Sequence, residues 1–252
     1  MKFPGASPGW RQAVWLVLSI ALFTFSVAAL PVLALSEDQL VAKLNAVPVF
    51  TIIDAKGSPL LLIPKQQKDI GILNFYLDST LAQQAIKLVK DQNPDKGKVY
   101  QVASTALGRA YTAIKQEREK KDSKVRFQFL SSPASIQYAY QVAKKKDPNL
   151  KNFQGVPVFF LTGGDRRGIL TLKRNGQEFL PMFFSEVDLQ RNLAALRKGR
   201  SDLPGNLSVE VATLDSVVGT MLSGQSDKDA EKITFIPSRA ALEYAKTLQK
   251  PK

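Results

Sequence analysis

The chain has 252 residues, enough for one large domain or two of about 110 residues, and its 44% apolar and 23% charged composition is that of a folded protein. It contains no cysteine and no histidine, which excludes disulfides, thiolate nucleophiles, Ser-His and Cys-His pairs and nearly every zinc or haem site. Its 35 Lys and Arg against 22 Asp and Glu give a net charge of +13, which without histidine barely changes between about pH 5 and 8.

Residues 1–34 read as a secretory signal peptide. Lys2 and Arg11 form a basic start, Val14 to Leu33 is an uncharged run, and Pro31-Val32-Leu33-Ala34 offers short side chains before a cut after Ala34. A run of about 20 apolar residues also suffices to span a bilayer, so an uncleaved anchor is the competing expectation. An Arg-rich, Ser-rich transit peptide is absent, which favours direct bacterial export. The remainder stays basic.

An internal repeat organises the rest of the chain. Val47-Pro48-Val49-Phe50 recurs as Val156-Pro157-Val158-Phe159, and Leu81, Ala85 and Leu88 parallel Leu189, Leu193 and Leu196, each triple spaced for one helix face. Gln101 to Ser104 parallels Glu210 to Thr213, and Phe129, Ser132 and Tyr138-Ala139 parallel Phe235, Ser238 and Tyr244-Ala245. The spacing therefore predicts two halves, 35–145 and 146–252, of one α+β module. Each is a small mixed sheet, built from a hairpin and further strands, packed with helices.

In chain order each half opens with a hairpin, 47–53 with 58–63 across Asp54-Ala55-Lys56-Gly57, and 156–161 with 168–173 across 162–167. Pro48 and Pro157 place their strands at a start or an edge, because proline cannot donate to a ladder. A third strand is expected at 70–77 and 179–184, then a helix at 79–91 and 186–199. The first helix stops before Pro94, and the second is capped by Ser185 with Asp188 three residues on. A strand, a short helix, a strand at 125–130 or 232–236 and a last helix complete each half. The second half also suggests a thioredoxin-like module as an alternative, but without Cys-x-x-Cys it has no redox chemistry.

Motifs for catalysis are thin. Gly163-Gly164-Asp165-Arg166-Arg167-Gly168 resembles a phosphate loop, yet a strand comes after it where a helix should open, so a hairpin turn is the better reading. No serine has a lysine three residues later. Asp54, Asp69 and Asp78 are candidates for an exported carboxylate-dependent hydrolase by composition only, and Asp78 and Glu186 suit helix starts. Basic clusters at Lys144-Lys145-Lys146 and within 117–124 fall at helix ends. They suit peripheral contact with anionic lipid or acidic protein better than nucleic acid. No enzyme, metal site or cofactor is expected.

Four apolar bunches remain: Leu60 to Ile63, Phe75-Tyr76, Phe159 to Leu161 and Met182 to Phe184. Neighbours on a strand point to opposite faces, so each bunch is either covered on both sides or leaves an apolar face open. The functional reading is a groove for unfolded polypeptides formed by Leu60, Leu62, Phe75, Tyr76, Phe159, Phe183 and Phe184.

The export signal, the Asn45 to Phe50 segment with its second copy at Gly155 to Phe160, and Pro181-Met-Phe-Phe-Ser185 leading to Asp188-Leu189-Gln190 resemble the Tic22-like family. That family is named for a component of the chloroplast inner-envelope translocon. The resemblance covers roughly residues 40–248. It implies a pseudo-symmetric α+β protein, chaperone-like, that binds unfolded or precursor polypeptides and meets translocon or outer-membrane assembly components. It implies the plastid intermembrane space or, in a cyanobacterial form with the signal seen here, the periplasm and outer-membrane biogenesis; the thylakoid lumen uses the same type of signal.

Overall fold

The computed structural model describes residues 34–249 apart from 166–167, 200–202 and 224–228. The signal-peptide expectation thus falls almost entirely outside the described residues. The described part opens with α1 (Glu37–Leu44), started by a capping box in which Ser36 and Gln39 satisfy each other's backbone amides. Strand β1 (Pro48–Ile53) begins at its proline, as the missing N–H requires. The turn after it is built by Asp54, whose Oδ1 accepts from the amides of Lys56 and Ser58 at 2.8 Å, and by Gly57 at φ +84°.

The expected hairpin is shorter than the apolar run suggests. Only the bridge Ile53 to Pro59 continues it, and β2 (Leu61–Leu62) pairs instead with β3 (Gly71–Tyr76). Pro59 and Pro64 bracket this segment, and neither has an amide to extend a ladder along β1. Then come α2 (Ser79–Gln92), capped by Asp78, α3 (Pro94–Gly97), β4 (Gln101–Ala106), α4 (Leu107–Arg118), β5 (Val125–Leu130) and α5 (Pro133–Lys144).

The second half repeats the order. Strands β6 (Pro157–Gly163) and β7 (Gly168–Ile169) form a hairpin, then β8 (Leu172–Arg174) turns into β9 (Gln177–Phe183) through Asn175 and Gly176 at φ 52° and 79°. That type I′ turn carries the Asn-Gly signature of a tight hairpin, and it starts β9 two residues before the expected strand. Next are α6 (Glu186–Gly199), β10 (Ser208–Thr213), α7 (Leu214–Leu222), α8 (Asp229–Lys232), β11 (Ile233–Ile236) and α9 (Arg239–Leu248).

The sheets are equivalent. One runs β4-β1-β3-β5, with β5 parallel to β3 and β1 antiparallel to its neighbours. The other runs β10-β6-β9-β11, with β11 parallel to β9. Even the connecting hydrogen bonds recur: Leu107 N donates to Val47 O and Leu214 N to Val156 O, both at 2.8 Å. The α+β, duplicated architecture is thus the observed one.

Alternation along the strands decides the layers. Val49, Phe75, Val158 and Met182 enter one core shared by both sheets with α1, α4 and α7. The opposite faces are covered separately. Phe50 and Tyr76 pack under α2 and α9, and Phe159 and Phe183 under α6 and α5. The final helix of each half therefore lies on the other half's sheet. Tyr244 of α9 rests on Phe50 at 5.2 Å, and its repeat partner Tyr138 of α5 rests on Phe159 at 5.5 Å. No helix among the described residues is long and apolar enough to cross a membrane.

Candidate binding surfaces

The seven apolar residues singled out from the sequence do not come together. Phe75, Tyr76, Phe159, Phe183 and Phe184 are core residues, 5%, 7%, 0%, 4% and 6% exposed. Strand alternation alone would have left one face of each pair open, but the exchanged helices α5 and α9 cover the outer faces and the shared core covers the inner ones. Their burial leaves them little surface for a partner, and only Tyr76 and Phe184 border a cavity.

Leu60 and Leu62 are different. Leu60 is half-buried, Leu62 is 46% exposed, and the neighbouring Ile63 is 64% exposed. Leu60 and Leu62 border a cavity of about 150 Å³ between β2 and α2, closed on the helix side by Ala85, Leu88 and Val89. Leu88 is 56% exposed. Tyr76 also lines it, and Asn74 Nδ2 donates to the Tyr76 hydroxyl at 3.4 Å. Asn74 Oδ1 is buried without a partner there. The register of β2 is held by Gly71, where a Cβ would come within 2.9 Å of Leu61. This is an apolar groove with one unsatisfied acceptor, open to solvent along Leu62 and Leu88.

A second cavity, about 510 Å³, opens where α4 and β5 of the first half meet Gly155, Val156 and the start of α7 of the second. Its floor is Tyr111 and Ile114 of α4 with Phe127 and Phe129 of β5, and Phe129 stacks on buried Phe75 at 5.3 Å. Lys115 and Arg118 stand at one end and Asp215, at the start of α7, at the other. The sequence reading overlooked these aromatics. Their signal was the alternation Val125, Phe127, Phe129 against Arg126 and Gln128, a strand with one apolar face. Because β5 lies at the sheet edge, that face is only partly covered.

The third cavity, about 500 Å³, is polar and lies where α2, α5, α6 and α9 begin. Its side chains are engaged with one another. Ser185 caps α6 by accepting from the Asp188 amide at 3.2 Å. Asp188 is 9% exposed; it accepts from Arg191 Nη1 at 2.7 Å and from the Arg239 amide at 2.9 Å. Ser135 donates to Glu186. These contacts tie α6 to both exchanged helices, which makes this junction a structural lock.

Of the three carboxylates considered for hydrolysis, Asp69 is an exposed side chain and the other two serve the backbone. Asp54 builds its turn, and Asp78 caps α2 by accepting from Leu81 N at 3.0 Å. Gly163 and Gly168 pair across β6 and β7, and Gly164 is held by both ends of the Asn206 amide, so the glycine-rich stretch is a hairpin turn. In the basic clusters, Lys146 pairs with Glu210 at 2.5 Å and Lys120 with Glu117 at 2.6 Å.

The family model described as "Tic22-like family" matches residues 6–248 of the chain. Among curated proteins, "Protein TIC 22, chloroplastic" of Pisum sativum is 22% identical over 204 residues, spanning 81% of this chain and 74% of that protein. Among solved structures, Anabaena Tic22, described as a protein of protein transport, superposes with a TM-score of 0.71 at 25% identity, over 86% of this chain and 100% of that one. Tic22 from Plasmodium falciparum has a TM-score of 0.66 at 19% identity, over 83% and 96%, a likeness of fold.

Proposed function

The chain belongs to the Tic22-like family, and on that premise we propose that it is an exported polypeptide-binding factor of protein transport, chaperone-like and without catalytic activity. Its clients are unfolded or precursor polypeptides on their way to or through an outer membrane, and its partners are translocon or outer-membrane assembly components. Its place is the periplasm, with the thylakoid lumen and plastid intermembrane space as the equivalent compartments. The description of the Anabaena relative as a protein of protein transport supports the transport role.

The observation that carries the binding role is the groove between β2 and α2. There Leu62 and Leu88 are exposed on either side of the cavity, while the central strands β1, β3, β6 and β9 carry their large apolar side chains into the cores. Exposed leucines beside a cavity cost solvation in the free protein and recover it when a client's apolar side chain settles there. The positive surface draws acidic stretches of client at long range, while the apolar floor sets residence time.

The test is an aggregation assay with a chemically unfolded client, comparing the mature protein with a Leu62→Asp, Leu88→Asp double variant. Suppression should weaken about tenfold, the effect of withdrawing one to two leucine contacts. The unfolding midpoint should barely change, because exposed sites contribute within about 0.5 kcal/mol. Failure of the parent protein to hold the client, or equal suppression by the variant, overturns the reading.

A further inference from the structure

The two halves differ at one place that the duplication makes visible. Before β1 the first half has α1, whereas the segment before β6 contains Pro148, forms no helix and sends Phe153 to the cluster beneath α6. Helix α1 lies against α4, α7 and β11. It buries Leu40 and Leu44 to 0% and 1% exposure in the shared core. Its contacts are specific. Leu35 N, just ahead of it, donates to Met221 O at 3.1 Å, and Lys43 Nζ reaches Ile233 O at 2.8 Å. Gly108 lets its last turn come close, since a Cβ there would stand 2.5 Å from Val41 O.

Carried across the repeat, Met221 becomes Ile114, Ile233 becomes Phe127 and Gly108 becomes Asp215. Val47 and Leu107 become Val156 and Leu214. All five counterparts line the 510 Å³ cavity. The cavity is the pseudo-twofold counterpart of the α1 seat, with an apolar floor of the same depth in the fold.

We propose that this cavity takes an amphipathic helix from a client polypeptide, of the chemistry α1 itself displays: two leucine-like side chains one turn apart, acidic residues in the first turn and a basic residue in the last. This rests on the client-binding reading and names what one site binds. The polarity follows from the charges. A helix entering as α1 does places its first turn near Ile114, beside Arg118, and its last turn at Asp215. Acid at the start and base at the end satisfy both ends and the guest's own macrodipole. In α1 the same order occurs, Glu37 and Asp38 first and Lys43 last, with Glu37 paired to Lys115. Replacing Gly108 by Asp215 at the counterpart position keeps the guest backbone farther out than α1 sits, which suits a helix that must leave again.

The probe is a synthetic peptide of residues 35–46, titrated into the full mature protein with its own α1 in place and carrying a photo-reactive leucine at position 40. Binding is expected, with cross-links on β5 and the first turn of α7. Leu40→Asp, Leu44→Asp peptide should bind at least about tenfold more weakly. Arg118→Glu protein, altered at an exposed position, should lose about three- to fivefold. Replacing Glu37 and Asp38 of the peptide by Lys should restore binding to that variant while weakening it for the parent. Absence of binding, charge changes without effect, or cross-links confined to β11 and the last turn of α7, in the seat α1 already fills, overturns the proposal. So does self-association of the protein through this face, which would make a second copy the occupant. Retention of the unfolded client without peptide binding sinks this site alone; loss of both sinks the client reading as well.

Discussion

At the residue scale, single side chains fasten elements that are far apart in sequence. Asp188 is the clearest: it sits in the first turn of α6, pairs with Arg191 and accepts from the backbone amide that opens α9. A nearly buried carboxylate with two donors is a charge-assisted arrangement, and its removal leaves the α9 amide without its acceptor. Asp188→Ala should therefore destabilise by about 2 kcal/mol in urea unfolding, and Asp188→Asn should recover part of that, because an amide oxygen can still accept from Arg239 N. Equal loss in both variants would mean that charge rather than the hydrogen bond matters. Lys43 supplies a pH signature. Burial pushes its ammonium below the ordinary 10.5, only partly opposed by the Glu231 carboxylate. The unfolded chain then holds a proton that the folded chain has lost, so this residue's contribution to stability rises with pH from the lowered value up to about 10.5. Against a Lys43→Met variant, the parent should gain stability across that window; a flat or falling difference would contradict the assignment.

At the scale of elements, most of the chain obeys its local signals. Pro48 and Pro157 begin their strands, α2 ends before Pro94, and Ser185 caps α6 as its spacing implies. The departures have local causes too. The segment at 58–63 pairs with β3 because Pro59 and Pro64 deny it a ladder along β1. The single hairpin strand expected at 168–173 is split into β7, paired with β6, and β8, which the Asn175-Gly176 turn pairs with β9 instead. The candidate surface was legible only in part. Leu60 and Leu62 lie at the groove, but its other wall is Leu88, which the helical spacing assigns to a buried face. Along α2, Ala82 is buried while Leu88, further on, is 56% exposed.

For the whole molecule, the consequential feature is the exchange of α5 and α9. A chain of residues 35–145 alone would leave Phe50, Tyr76 and Ala82 without the cover of Ala241 and Ala245, and 146–252 would leave Phe159 and Phe183 without Ala139. Each half would also lose its share of the central core. Neither fragment should show a cooperative urea transition by circular dichroism, whereas the two mixed should regain one; a fragment that unfolds near the parent midpoint would show the exchange to be dispensable. The duplication, the α+β order of elements and the lack of cysteine and histidine chemistry were all legible in the chain, because they depend on residue identity and on patterns that recur along it. Which apolar residues remain at the surface was decided only by the tertiary structure. Strand alternation says that Phe75 and Tyr76 face opposite ways, but whether either way is solvent depends on helices contributed from more than a hundred residues away. That information lies in the packing of α5 and α9 across the halves, and no local pattern encodes it.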